Sequence, residues 1–162
     1  MNTIDKSLLD GRLICLAPIE VEKDAEVEAK WTHDPDYGRL LSAELARPLS
    51  PAHIKKKYEK IEKKMEESGD RFYFTVRRVE GAVADGENTE PDVSARRLVG
   101  FIELTWVSWN HGAAYLMLGI GDPDDRGKGY GSEALALMLN YAFEELNLSR
   151  LTAVIPEYNR VA

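Results

Sequence analysis

Leu118-Gly119-Ile120-Gly121-Asp122-Pro123-Asp124-Asp125-Arg126-Gly127-Lys128-Gly129-Tyr130-Gly131-Ser132 runs an apolar strand into a glycine-rich turn, and an amphipathic helix follows at once. That order builds an anion site. The first N–H groups of a helix have no partner inside it and point outward. The aligned peptide dipoles add about half a positive charge at that tip. Glycines at 127, 129 and 131 let a ligand come close to the backbone, and Arg126 and Lys128 add positive charge. Each hydrogen bond to a charged oxygen contributes roughly 1.5–3 kcal/mol, so several together hold a pyrophosphate without a metal. Asp122, Asp124 and Asp125 precede the turn; no neighbouring ligand completes a metal spacing, so they read as a polar loop and no metal is expected.

Working outward, the helix extends from Gly129 to Leu146, with Ala134, Met138 and Ala142 among the residues on its apolar side. Leu151 to Ile155 reads as a final strand. Upstream, Arg71 to Val79 alternates and is rich in aromatic and β-branched residues, so it reads as a strand, and Arg97 to Trp106 and Ala113 to Gly121 read as two further strands. The polar, glycine-containing positions 80–97 between the first two read as a flexible hairpin loop. Arg12 to Ile19 reads as the first strand and Glu20 to Trp31 as a helix, broken by His33-Asp34-Pro35-Asp36. A second helix opens with Ser50 as cap and Pro51 in its first turn. Its apolar stripe is Ile54, Tyr58, Ile61 and Met65, and Ser68-Gly69-Asp70 ends it. Strand, two helices, three-strand meander, helix and strand make a mixed α/β sheet in a single domain over 1–162. The last strand crosses over a helix and is expected parallel to its neighbour.

Composition excludes several classes. The chain has 162 residues, 44% apolar and 30% charged, as ordinary globular domains do. A net charge of −7 argues against binding nucleic-acid backbones, though it suits a cationic amine. No apolar run reaches the roughly 18 residues of a membrane span, and Met1 to Leu9 lacks a leader pattern. A cytoplasmic chain without membrane partners is expected. The single cysteine, Cys15, lies in an apolar run and reads as a small core residue.

Three phosphate-binding patterns can be set against the turn. The Walker pattern is absent. The dinucleotide pattern fails because Ser132 stands where its third glycine belongs, and no acidic residue occurs in Leu148-Ser149-Arg150-Leu151-Thr152. The third, [RQ]-x-x-G-x-[GA], is matched throughout by Arg126-Gly127-Lys128-Gly129-Tyr130-Gly131. On this loop the chain resembles the GNAT superfamily of acyl-CoA N-acyltransferases. Gly100-Phe101-Ile102-Glu103-Leu104, Ile120-Gly121-Asp122-Pro123, Gly131-Ser132-Glu133-Ala134-Leu135 and Tyr141-Ala142-Phe143-Glu144-Glu145-Leu146 resemble its branch of ribosomal-protein N-terminal acetyltransferases, as does Trp31 with Asp34-Pro35.

The resemblance implies the GNAT fold, acetyl-CoA as donor and a primary amine as acceptor, with direct attack in a ternary complex. It implies that Leu118 and Ile120 hold the pantetheine arm through their backbones. Arg126, Gly127, Lys128, Gly129, Tyr130, Gly131 and Ser132 would cradle the pyrophosphate, mainly through main-chain N–H groups. Asn159 would contact the pantetheine arm. The acceptor pocket is expected between Trp31 and Leu45 and near Trp106 to His111, with Trp31, Tyr37, Trp106 and Trp109 as candidate lining.

Two departures stand out. Many members carry a catalytic Glu on the fourth strand; here that position is Tyr115. A phenol with a pKa of about 10 is a poor base at neutral pH, but it can position a water or the acceptor. Glu103, on the adjacent strand, is the nearest acidic substitute; otherwise it reads as a strand residue facing solvent. His111 reads as an exposed turn residue. The alternative function is a non-catalytic acyl-CoA-binding or regulatory module. The second departure is that the family continues past Asn159 with a helix and a strand, whereas Arg160-Val161-Ala162 follow here. The resemblance therefore implies missing C-terminal elements, an open cleft and a sheet face exposed enough to favour a homodimer.

Overall fold

The computed structural model describes residues 7–41, 45–79, 93 and 96–162. In chain order these form β1 (Ile14–Ala17), α1 (Val21–Trp31), α2 (Pro35–Leu41), α3 (Pro51–Ser68), β2 (Phe72–Arg78), β3 (Leu98–Ser108), β4 (Ala113–Ile120), α4 (Tyr130–Asn140) and β5 (Arg150–Ala153). A 3-10 turn, Pro123–Asp125, precedes α4, and a π-helical turn, Tyr141–Glu145, extends it. The strands lie in the order β1-β2-β3-β4-β5. The first three pairings are antiparallel and β4–β5 is parallel, as the crossover through α4 requires.

Each sheet face buries a helical layer. On one, Ala134, Met138 and Ala142 of α4 and the turn after it meet Ile14, Leu16, Val76, Ile102 and Leu104. On the other, Ala25 and Ala29 of α1 and Ile54, Tyr58 and Ile61 of α3 meet Tyr73 and Phe101. The α3 stripe is the one its spacing predicts. Its ends also follow the sequence: Ser50 accepts a hydrogen bond from the His53 N–H at 3.3 Å, and Gly69 closes the helix at φ 61°. Ser50→Ala should lower stability by about 1 kcal/mol, read as a shift of the urea midpoint at unchanged m-value.

Several expectations shift. Pro35 does not end helical structure but begins α2, because Asp34 caps it by accepting from the Asp36 N–H at 3.0 Å and Pro35 occupies the first turn. The first strand starts at Ile14, not Arg12, because its ladder with β2 begins at Ile14↔Arg78, while the N–H groups of Arg12, Leu13 and Ile14 are taken by a carboxylate of α4. β3 reaches Ser108 through a bulge at which Trp106 adopts φ 53° and turns to solvent, so that Val107 fills the core. The flexible loop expected at 80–97 lies almost wholly outside the described residues.

Candidate functional site

Where β4 ends, Gly121 turns the chain beneath Trp31: a Cβ on this glycine would lie 1.9 Å from the indole. The Asp122 side chain caps the 3-10 turn by accepting from Asp124 N–H at 2.9 Å. Asp125 is buried and paired with Arg97. Two of the three aspartates thus have structural partners, and among the described residues no cluster of His, Cys, Asp or Glu could hold a metal.

Gly127 and Gly129 then adopt φ 74° and 87°, the left-handed region that glycine alone enters freely. Gly129 is the N-cap of α4 and supplies no side-chain cap. The first bond of the helix runs from Glu133 N–H to the Gly129 carbonyl at 3.0 Å. The amides of Tyr130, Gly131 and Ser132 therefore precede the ladder, and none donates to another group among the described residues. Lys128 is exposed beside them, whereas the Tyr130 side chain turns into the core. Arg126 differs from its neighbours. Its amide donates to the Pro123 carbonyl at 3.2 Å, and its guanidinium donates to the Ile120 and Gly121 carbonyls at 3.2 and 3.0 Å and pairs with Asp34 at 3.4 Å. It staples the loop to the strand end and to α2.

The cleft beside the loop comes from strand divergence. β5 pairs with β4 only from Ala113↔Arg150 to Leu116↔Ala153. Beyond that register Met117, Leu118, Gly119 and Ile120 have no strand partner on the β5 side among the described residues. Leu118 and Ile120 line the α4 side of this edge: a Cβ on Gly131 would lie 3.7 Å from each. On the other side Leu41 of α2 closes over Gly119, 2.9 Å from where its Cβ would be. A separate pocket of about 870 Å³ lies along α2, lined by Pro35, Arg39, Leu40, Leu45, Ala46 and Tyr158 among others and by no residue of β4, β5 or α4. Asn159 sits at its margin, donating to the Leu40 carbonyl at 3.0 Å and so tying the last described segment to α2.

Glu103 and Tyr115 share the sheet face opposite α4. Their strands pair as Glu103↔Met117 and Thr105↔Tyr115, so the two are diagonal neighbours, about 7–8 Å apart at the backbone. Glu103 does not face solvent as a strand pattern alone suggests: it is 7% exposed. Arg71, just after α3, donates to its Oε2 from Nε at 2.9 Å and from Nη2 at 2.6 Å. Its Oε1 accepts from no described residue, while the Tyr115 ring is 49% exposed. The candidate aromatics divide. Trp31 and Tyr37 are core residues, their rings 5.8 Å apart, whereas Trp106 and Trp109 are exposed. Burial, reinforced by the nearby Glu28 carboxylate, raises the Tyr37 phenol well above its ordinary range. His111 is exposed in the β3–β4 turn. Arg71 and Glu133 escaped the sequence reading, since each acts through a partner distant in the chain.

An uncapped helix tip beside a strand edge that has lost its neighbour is a geometry suited to an anion, and the comparisons with known proteins give the family. The family model described as an acetyltransferase (GNAT) domain matches residues 13–161. An N-acetyltransferase 9-like protein of Caenorhabditis briggsae is 30% identical over 155 residues, covering 91% of this chain and 66% of its own length. The chain thus spans just under two thirds of that relative. Among solved structures, one described as "Probable acetyltransferase" superposes with TM-score 0.71 at 21% identity, over 93% of this chain and 74% of that one. Spermidine N-acetyltransferase from Vibrio cholerae, in complex with CoA and spermine, gives 0.66 at 18%, over 90% and 72%. The chain belongs to the GNAT acetyltransferase family.

Proposed function

We propose that this protein is an N-acetyltransferase that moves an acetyl group from acetyl-CoA to a primary amine by direct attack in a ternary complex. The observation that carries the reading is the run of unpartnered amides at Tyr130, Gly131 and Ser132, opening beside the unpaired edge of β4. These amides and Lys128 would take the diphosphate. The backbones of Leu118 and Ile120 would pair with the pantetheine arm as a further strand would. The bound cosubstrate supplies an activated acyl thioester. Family membership and the CoA held by the Vibrio cholerae neighbour favour an enzyme of this kind, and we place it in the cytoplasm. Val154 and Ile155, exposed just past β5, suit a homodimer contact.

The protein's own chemistry is then to deliver a neutral amine. At pH 7 roughly a tenth of an α-amine is already neutral, but under a thousandth of a lysine amine is. Glu103 suits the base role through a water, since Arg71 fixes one oxygen and leaves the other open. Tyr115 suits positioning of that water or of the acceptor. Glu103→Gln should lower kcat roughly a hundredfold, the lower end of what a general base supplies, and flatten the acid limb of the pH–rate profile. A variant that keeps both kcat and that limb removes Glu103 from the mechanism.

Tyr115 in place of a carboxylate also favours a second reading, a non-catalytic acyl-CoA-binding module. Thiol release from acetyl-CoA, measured with a panel of α-amines, polyamines and lysine peptides, separates the two. Turnover with any acceptor supports the enzyme; calorimetric CoA binding without turnover supports the module; no binding at all defeats both.

A further inference from the structure

A carboxylate in the first turn of a helix has a natural destination, the helix's own free amides. Glu133, one residue past Ser132, does not go there. Its Oε1 accepts from the Arg12 N–H at 2.7 Å, and its Oε2 from the N–H groups of Leu13 and Ile14 at 2.7 and 2.9 Å. Three successive amides at the entry to β1 thus form a concavity for an anion, and the anion is this side chain. The fit is tight: a Cβ on Gly11 would lie 2.7 Å from the Glu133 Cδ. The concavity also adjoins the phosphate loop, since the Leu13 Cδ1 would be 3.5 Å from a Cβ on Gly129.

We propose that Glu133 is a positioning residue whose carboxylate, held on the amides of Arg12, Leu13 and Ile14, is kept off the helix tip that receives the diphosphate. This role rests on the acyl-CoA reading above. A negative charge in the first turn supports the helix dipole but competes with an incoming anion for the same amides. Three hydrogen bonds to β1 resolve the conflict. They disperse the charge, point it away from Tyr130, Gly131 and Ser132, and fasten the helix tip to the sheet.

The test compares charge with shape in the full chain, by calorimetric titration with CoA at low salt. Glu133→Asp keeps the charge on a carboxylate too short to span the three amides and should weaken CoA about tenfold. Glu133→Gln has the same shape without the charge and should weaken it less. Should Glu133→Asp fail to melt cooperatively, Gly11→Ala replaces it; its Cβ would lie 2.7 Å from the Glu133 Cδ and equally close to the Ile14 carbonyl, so it disturbs the carboxylate and its seat together. An Asp variant, or Gly11→Ala in its place, at least as tight as the Gln variant overturns the role of Glu133 alone. Wild-type protein that binds no CoA overturns the cofactor reading and this role with it.

Discussion

Gly129→Val is expected to weaken coenzyme A binding by about a thousandfold or more. Two costs combine. Gly129 sits at φ 87°, where a β-branched residue is most strained, at about 1–3 kcal/mol. The added bulk also stands at the N-cap of α4, over the amides that would face the diphosphate, and each charged hydrogen bond lost removes roughly 1.5–3 kcal/mol. The fold should survive, because Gly129 is exposed and a Cβ there meets only Leu13, at 3.5 Å. The measurement is CoA titration alongside a thermal melt. A cooperatively folded Val variant that binds CoA within tenfold of wild type would show that the loop is only a turn.

The second large effect lies away from the cleft. Arg77→Met should destabilise the protein by about 3–5 kcal/mol. Arg77 of β2 and Asp24 of α1 form a pair 2.6 Å apart, with side chains 3% and 2% exposed. Asp24 also accepts from the Glu20 N–H at 2.8 Å, which fixes the start of α1. Removing the guanidinium leaves a buried carboxylate without its cation. Burial already raises the Asp24 pKa, against the hydrogen bonds from Glu20 and Arg77, and the variant raises it further. The sign follows. A carboxyl whose folded-state pKa lies above its unfolded value binds its proton more tightly in the native state. Its relative stability is complete below the unfolded value and is lost as pH rises through the folded one. The deficit of Arg77→Met should therefore be largest near neutrality and shrink as the pH falls toward about 4. Denaturant melts at both pH values test this, and Asp24→Leu added to Arg77→Met should recover much of the loss. A deficit below about 1 kcal/mol at neutral pH would mean that water reaches the pair.

The elements governed by local spacing were legible in the sequence. The α3 stripe, the Ser50 cap, the three-strand meander and the glycine turn before α4 all follow from neighbours within a few residues. The loop pattern also located the helix tip. What escaped depends on contacts across the fold. Nothing near Glu103 announces Arg71, which comes from the end of α3 across β2. Nothing near Arg126 announces that its guanidinium is spent on Ile120, Gly121 and Asp34. Asn159 likewise meets Leu40, a partner that only the packing of α2 supplies. Short α2 itself was signalled by Asp34-Pro35, a cap and a first-turn proline, but a proline reads as a stop when the apolar pattern on both sides is weak.

Trp31 and Gly121 divide one volume between them: the indole occupies the space where any side chain at 121 would stand. Neither position can drift alone. A methyl at 121 needs a smaller ring first, and a smaller ring leaves a hole beside Tyr37, whose centroid is 5.8 Å away. Sequences diverging from this one must therefore cross a destabilised intermediate or change both sites together. A chain with tryptophan and glycine at these two places should hold the turn before α4 at the same height above the first helix.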